Sequence, residues 1–106
     1  MLAVLNGWRY DSIVIRSFAD ADTELLWDTG KSRRIPANLR SSALKKIASL
    51  DSAERLEDIW SPPGNRLEVL TGDRKGQHSI RINAQFRLCF TWSDGNAYKV
   101  AIVDYH

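Results

Sequence analysis

The last three residues of the chain, Asp104, Tyr105 and His106, carry side chains that could do chemistry together. Histidine is the usual acid or base in proteins because the pKa of its imidazole lies near neutrality. An aromatic ring can stack on an unpaired nucleic-acid base. We therefore place the candidate chemistry of this protein at the C-terminal end of the chain.

Arg81, Arg87 and Glu68 are predicted to share one open face of a β-sheet. Side chains alternate between the two faces of a strand, and the apolar residues beside the arginines must meet the core. Arg81 and Arg87 therefore point together off the opposite face. In a short strand earlier in the chain, Leu67 and Val69 are predicted to point inward, which leaves Glu68 outward.

The direction of the chain end depends on how far the last strand stays regular. Val103 and Tyr105 are predicted to point outward from this strand, onto the face with the arginines. Strict alternation would then turn Asp104 and His106 away from that face. We expect the strand to fray or bend beyond Val103, so that Asp104 and His106 lie at the rim of the face.

Two arginines, a carboxylate, an aromatic ring and a histidine are groups that could cleave an RNA phosphodiester. A base must take the proton of the 2′-OH, an acid must protonate the leaving 5′-oxygen, and guanidinium groups must stabilise the charge on the phosphorane. Simpler explanations exist. Arg81 and Glu68 could form an ordinary cross-strand ion pair, and the terminal triplet could be inert. From the residues alone, the inert and functional interpretations of the triplet are equally supported.

The other histidine and the single cysteine are predicted to be structural. His78 shares a strand face with Ile80 and Ile82, which favours a hydrogen-bonded structural histidine over a catalytic one. Cys89 is predicted to be a small, buried or half-buried strand residue. One cysteine and two histidines form neither an intrachain disulfide nor a familiar Cys/His zinc pattern, so no metal or cofactor is predicted.

The composition indicates one globular domain. The chain has 106 residues, of which 43% are hydrophobic and 26% charged, with a net charge of +2. Residues 13–106 are predicted to form this domain, while residues 1–12 are an extension that could be an added strand, a disordered tail or an upstream start. No apolar run reaches membrane-spanning length and no secretory pattern is recognisable, so we expect a cytoplasmic protein.

Positive charge is concentrated between Lys31 and Lys46, where six Lys or Arg residues occur without an acid. In the helix predicted here, an apolar stripe recurs at three- and four-residue spacing and consists of Leu39, Ala43, Ile47 and Leu50. Arg40, Lys45 and Lys46 lie off this stripe. An ordinary solvated helix face is favoured over a surface that contacts RNA.

The predicted elements follow the order β-α-α-β-β-β-β, which indicates an α+β fold with two helices packed on a mainly antiparallel sheet of about five strands. The first strand is predicted at 12–18, and a short helix begins in the acidic stretch after it and ends at Gly30. A second helix begins at Pro36, and one further helical turn is predicted at 54–60. The remaining strands are predicted at 66–70, 77–83, 86–92 and 97–103, with Asp94-Gly95 as a hairpin turn.

Several blocks of the chain resemble one protein family in their order and spacing. The blocks are Thr29-Gly30-Lys31-Ser32-Arg33-Arg34, Pro62-Pro63-Gly64-Asn65-Arg66-Leu67-Glu68, Gly72-Asp73-Arg74, Gly76-Gln77-His78-Ser79-Ile80-Arg81-Ile82-Asn83, Gln85-Phe86-Arg87 and Val103-Asp104-Tyr105-His106. With these blocks the chain resembles, from about Ile13 to its last residue, the HigB toxins of bacterial type II toxin–antitoxin operons, within the RelE/ParE superfamily. The resemblance implies the small RelE-like α+β fold, in agreement with the element order.

The resemblance also implies an activity and partners. The implied activity is cleavage of mRNA in the ribosomal A site, without a metal, through attack of the 2′-OH on the adjacent phosphate. The implied partner is a HigA-type antitoxin with a helix-turn-helix domain, which neutralises the toxin in a heterotetramer. Operator DNA would be contacted only through this antitoxin, and no membrane is involved.

The resemblance implies roles for individual residues. The family uses its closing Asp-Tyr-His in catalysis, which implies this role for Asp104, Tyr105 and His106, and it places basic residues at the positions of Arg81 and Arg87. Together with the sheet-face argument, this gives His106, Asp104, Tyr105, Arg81 and Glu68 as the predicted catalytic residues. The basic residues assigned to RNA contact are Arg87, Arg66, Arg74, Lys75, Arg40, Lys45 and Lys46. The chain departs from some family members, which carry a His and, three residues later, a Lys where Glu68 and Thr71 stand here. Either Glu68 acts as the base with His106 as the acid, or catalysis depends on His106, Asp104 and the arginines alone.

Two other functions remain open on the sequence. One is a ParE-like toxin that inhibits DNA gyrase by binding, because the same superfamily fold hosts both kinds of toxin. The other is a non-enzymatic growth inhibitor, whose basic helix and sheet face only bind the antitoxin or a ribosomal surface. A terminal histidine beside an acid favours the nuclease.

Overall fold

The computed structural model of the protein describes residues 4–5, 8–9, 12–60, 67–70 and 76–104. Strands β3 (Glu68–Val69), β4 (His78–Arg81), β5 (Phe86–Ser93) and β6 (Asn96–Asp104) form a four-stranded antiparallel sheet in that order, and β1 (Val4–Leu5) and β2 (Trp8–Arg9) form a separate antiparallel pair. Helices pack on one face of the larger sheet, which confirms the predicted α+β class. The helices are α1 (Ala21–Thr29), α2 (Ala37–Asp51) and α3 (Leu56–Trp60), all between β2 and β3 in the sequence.

The predicted first strand is an extended segment that lies beside β6. Ile15 bridges Ala97 and Phe18 bridges Val100, both in parallel orientation. The bridges are isolated because β6 bulges between them: Lys99 has a φ of 55°, and the register with β5 shifts by one residue there. The prediction of a strand at 12–18 is therefore wrong: the segment is extended and bridges β6 at two points, and within the described residues the sheet has four strands rather than about five.

Two short strands pair in an antiparallel manner in the N-terminal extension. Val4 pairs with Arg9 and Leu5 pairs with Trp8. The other residues of the 1–11 stretch lie outside the described residues, so the role of the extension stays open.

Helix α1 begins and ends as the sequence predicts. The Asp20 carboxylate accepts a hydrogen bond from the Thr23 N–H at 2.7 Å, which is a standard N-cap. Gly30 ends the helix with a φ of 78°, and its N–H donates to the Leu26 carbonyl. The Thr23 hydroxyl also accepts from the Ile102 N–H at 3.1 Å, so the first turn of α1 is fixed to β6.

Helix α2 buries the predicted apolar stripe and ends on a buried acid. Ala43, Ile47 and Leu50 are fully buried in the core. Asp51, the last helical residue, accepts hydrogen bonds from the Val14 and Ile15 N–H groups at 2.9 Å each and from the Ile13 N–H at 3.2 Å. An acid is unfavourable at a helix C-terminus, and these backbone donors compensate for it. No helix among the described residues is long and apolar enough to cross a membrane.

The short edge strand β3 differs from its prediction at one position. Val69, predicted to point inward, is 69% exposed because β3 is the last strand at its side of the sheet. Leu67 packs partly against the core as predicted. The buried residue here is Leu70, whose N–H donates to the Gln77 carbonyl at 2.8 Å.

Candidate active site

The strand register places the predicted charged residues on the sheet face opposite the helices. Arg81 lies directly across from Arg87, and Glu68 lies across from Ser79. Directly opposed residues of antiparallel strands project to the same face, and residues two apart on one strand do so too. Glu68, Ser79, Arg81 and Arg87 therefore share this face, as the alternation pattern predicts.

Arg87 is not open to solvent, contrary to the prediction. It is only 7% exposed, and its Nε donates to the Ser79 hydroxyl at 2.7 Å. Its Nη2 donates to the Ser79 carbonyl oxygen at 3.2 Å and lies 3.8 Å from Glu68 Oε1. The side chain lies over the small Ser79, which leaves room for it to fold back onto the sheet. Ser79 was not among the predicted site residues, and its only sequence signal is its position two residues before Arg81.

Arg81 and Glu68 are the accessible charges of this face. Arg81 is half-buried, and its guanidinium makes no hydrogen bond or ion pair with any residue in the described ranges. The Glu68 side chain is 54% exposed, and its ion-pair partner is Arg87. The cross-strand pair between Glu68 and Arg81, which the sequence left open, is therefore absent from the described contacts.

The chain end stays regular further than predicted. Strand β6 continues to Asp104, which lies directly across from Phe86 and therefore projects to the helix side of the sheet. Gln85 Nε2 donates to Asp104 Oδ2 at 3.0 Å. The expected fraying beyond Val103 is thus wrong for Asp104. Asp104 and Arg81 lie at the same end of the sheet but on opposite faces.

Five predicted site residues lie outside the described residues, so their roles stay predictions. Two of the five, Tyr105 and His106, are predicted catalytic residues. The other three, Arg66, Arg74 and Lys75, are predicted RNA contacts. Thr71, where some family members carry a lysine, also lies outside the described residues.

The basic residues of α2 lie away from Arg81 and Glu68. The helices cover one face of the sheet, whereas Arg81 and Glu68 project from the other. Arg40 donates from Nε to the Ile35 carbonyl at 3.0 Å and from Nη2 to the Ser32 carbonyl at 2.8 Å. Arg40 thus fixes the connector before α2. Lys45 is exposed and Lys46 is half-buried.

That connector is also bound to the start of α1 through Asp22. Burial alone would raise the pKa of Asp22. Hydrogen bonds from the Ser32 hydroxyl and from the Arg33 and Arg34 N–H groups, together with the Arg34 charge, outweigh this effect and hold the pKa below its ordinary value. The Ser32 and Arg33 bonds are both 2.6 Å long. Charges in the predicted basic stretch are therefore partly neutralised, since Arg34 pairs with both Asp20 and Asp22.

His78 lies on the helix side of the sheet. Its ring stacks on Phe90 with the centroids 5.8 Å apart, and burial lowers its pKa. Nδ1 is buried and has no hydrogen-bond partner in the described ranges, so the predicted hydrogen bond is missing at this atom. Cys89 is fully buried in β5, as predicted.

Comparison with known proteins agrees with this architecture. Residues 16–106 match the model of a family described as the RelE-like toxin of type II toxin–antitoxin system HigB. Toxin HigB-1 of Vibrio cholerae serotype O1 is 42% identical over 81 residues, which cover 76% of this chain and 85% of that protein. Endoribonuclease HigB of Proteus vulgaris is 29% identical over 93 residues, covering 88% of this chain and 100% of that protein.

Two solved structures share the fold. The YoeB–YefM complex from Staphylococcus aureus has a TM-score of 0.50 at 23% identity, covering 88% of this chain and 93% of that chain. The YoeB/ParE toxin from Agrobacterium tumefaciens has a TM-score of 0.50 at 19% identity, covering 90% and 99%. Because the family match extends from Arg16 to the last residue and the Vibrio relative is 42% identical, this chain belongs to the HigB-like toxins of type II toxin–antitoxin systems.

Proposed function

We propose that this toxin is an mRNA endoribonuclease that acts on the ribosome, by attack of a 2′-OH on the adjacent phosphate and without a metal. The observation that carries the proposal is the pair of accessible, opposite charges on one sheet face, Glu68 and Arg81. A guanidinium can stabilise the growing negative charge of a phosphorane, and a carboxylate can accept the 2′-OH proton. The relative from Proteus vulgaris, matched over its whole length, is named an endoribonuclease.

The terminal triplet supplies the remaining roles in this proposal. His106 protonates the leaving 5′-oxygen, and Tyr105 stacks on a base of the mRNA. Asp104 lies on the other face from Arg81, where Gln85 holds one of its oxygens. Its proposed role is therefore to orient His106, two residues later, rather than to contact the phosphate beside Arg81.

The proposed partners are the ribosome with its mRNA and a HigA-like helix-turn-helix antitoxin. Membership in a toxin–antitoxin family supports an antitoxin, and we propose a heterotetramer that reaches operator DNA through the antitoxin. Arg40, Lys45 and Lys46 lie on the far side of the sheet from Arg81. We assign contact with ribosomal RNA to Lys45 and Lys46, whereas the predicted RNA contact of Arg40 gives way to a structural role, because its Nε and Nη2 already bond to backbone carbonyls. Arg66, Arg74 and Lys75 remain the proposed contacts to mRNA.

Primer extension on a reporter mRNA in a purified translation system tests the proposal. The wild-type protein should produce cuts that require ribosomes, and His106→Ala should abolish them while the variant still binds antitoxin. His78→Gln is the matched control, because it removes the chain's only other imidazole from the opposite side of the sheet, and it should retain the cuts. Growth arrest in cells without any cut in this assay would reject the nuclease in favour of a toxin that acts by binding.

A further inference from the structure

Ser79 holds the Arg87 guanidinium through two acceptors. Ser79 is fully buried in the middle of β4, between Glu68 on β3 and Cys89 on β5. Its hydroxyl accepts from Arg87 Nε at 2.7 Å and its carbonyl oxygen accepts from Nη2 at 3.2 Å. The distance to the hydroxyl is short, as expected for a hydrogen bond from a charged donor.

Burial makes these two bonds necessary for the arginine. A guanidinium stays charged at every accessible pH and carries only donors. Arg87 is 7% exposed, so its donors must be satisfied by protein atoms rather than by bulk water. Removing the Ser79 hydroxyl would leave the Nε–H of a buried charge without its acceptor, and the side chain would have to reorient.

The orientation of Arg87 matters for both accessible charges of the site. Like charges on directly opposed strand residues repel each other, and Arg87 is directly opposed to Arg81. Ser79 holds the Arg87 guanidinium over β4, where Nη2 lies 3.8 Å from Glu68 Oε1. Arg87 thus connects β5 to the carboxylate on the edge strand, and Arg81 is left as the guanidinium without a described partner.

We propose that Ser79 is a positioning residue for RNA cleavage: it orients Arg87, and Arg87 in turn holds the Glu68 carboxylate in place beside Arg81. The inference rests on the proposed endoribonuclease function. It reassigns Arg87 from RNA contact to positioning, since the described bonds already occupy its Nε and Nη2 donors.

The test is single-turnover cleavage of ribosome-bound mRNA by the full-length protein and by Ser79→Ala. Misplacing a catalytic group without removing it typically slows the chemical step, so we expect the maximal rate to fall by about 10- to 100-fold. The toxin concentration that gives the half-maximal rate should stay within about 2-fold of the wild-type value, because the substitution removes no RNA contact. Ser79→Thr, which keeps the hydroxyl, should recover most of the rate. Arg87→Lys should lower the maximal rate by a similar factor. The double variant with Ser79→Ala and Arg87→Lys should be little slower than either single variant, because the two residues act as one unit.

Thr91→Val is the matched control. Thr91 lies on the same sheet face, and its hydroxyl donates to the Tyr98 carbonyl at 3.3 Å rather than contacting Arg87. Loss of this hydroxyl should leave both kinetic parameters unchanged. A general loss of packing would instead affect both variants and would lower the melting temperature together with the fraction of active protein.

Nitrogen-15 NMR of the Arg87 Nε–H separates the possible outcomes. This proton should exchange slowly with solvent in the wild-type protein and fast in Ser79→Ala. Fast exchange with an unchanged maximal cleavage rate would overturn the positioning role and leave the proposed nuclease intact. A wild-type protein that binds ribosomes but never cuts would refute the proposed function, and the positioning role would fall with it even if the Nε–H is protected.

Discussion

At the scale of single residues, two charged side chains are buried among the described residues, Asp51 and Arg87. Backbone groups contribute to the binding of both side chains. Asp51 accepts three backbone N–H groups from the segment that precedes α1, and Arg87 donates to a backbone carbonyl and to the hydroxyl of the same residue. Buried charge is tolerated in both places because hydrogen-bond partners replace water.

Asp51→Asn should destabilise the protein by about 1–3 kcal/mol. The amide keeps one acceptor for the Val14 and Ile15 N–H groups but turns an NH₂ donor toward the Ile13 N–H, where Oδ2 now accepts. Urea unfolding followed by circular dichroism measures the change. Glu57→Gln, on an exposed position of α3, is the control and should shift the unfolding free energy by less than about 0.5 kcal/mol. Equal stability of the two variants would show that the Asp51 contacts contribute nothing.

At the scale of elements, the sequence predicts what local chemistry decides. Asp20 and Gly30 mark both ends of α1, and the spacing of Ala43, Ile47 and Leu50 gives the buried side of α2. Alternation also gives the correct face for Arg87. It does not give the burial of this side chain, which depends on the small Ser79 across the strand pair.

The bulge in β6 is another feature that could not be predicted from the sequence. It centres on Lys99, whose φ of 55° is unusual for a residue other than glycine, and a lysine in a sequence does not indicate a positive φ. The position of the bulge decides which residues of β6 meet the extended segment at 15–18, with Ala97 and Val100 both buried as its bridge partners. Alternation alone would place these two on opposite faces, so the pairing is a tertiary effect.

The connector between α1 and α2 should make stability depend on pH. The pKa of Asp22 is lowered in the folded protein, so its ionised form contributes stability above the ordinary pKa of 3.8, and this contribution disappears as the pH falls through the lower, folded value. Wild-type protein should therefore exceed Asp22→Asn in unfolding free energy by more at pH 5 than at pH 3. Urea unfolding at both values measures this. A difference that stays constant with pH would contradict the assigned contacts.

At the scale of the whole molecule, the sheet separates two charged surfaces. Arg81 projects from one face, with Glu68 on the same side, and the helices that carry Lys45 and Lys46 cover the other. A side chain on α2 therefore cannot contact the phosphate that Arg81 contacts. If the proposed function holds, the two surfaces serve different parts of one large complex, one for the scissile phosphate and one for docking.

Free toxin should accordingly cleave protein-free RNA poorly. In so small a protein we expect the ribosome to place the 2′-OH in line with its phosphate, and that alignment accounts for much of the rate. Incubation of purified toxin with the same reporter mRNA, with and without ribosomes, measures the difference. Rapid cutting of the naked RNA at many positions would show that the protein aligns its substrate alone.

The separation of surfaces predicts distinct kinetic defects for their variants. Arg81→Ala should lower the maximal cleavage rate by roughly 100-fold, because a single charge-stabilising donor typically contributes 10²–10³. Lys45→Gln with Lys46→Gln should instead raise the toxin concentration for half-maximal rate and weaken its dependence on salt, because fewer counterions are released on binding. Arg40 is left unchanged in this test, since it bonds to the Ser32 and Ile35 carbonyls and its loss would disturb the fold. If the lysine variant lowered only the maximal rate, side chains of α2 would have to contact the reacting phosphate. Because α2 and Arg81 lie on opposite sides of the sheet, this result would rule out the proposed site at Arg81.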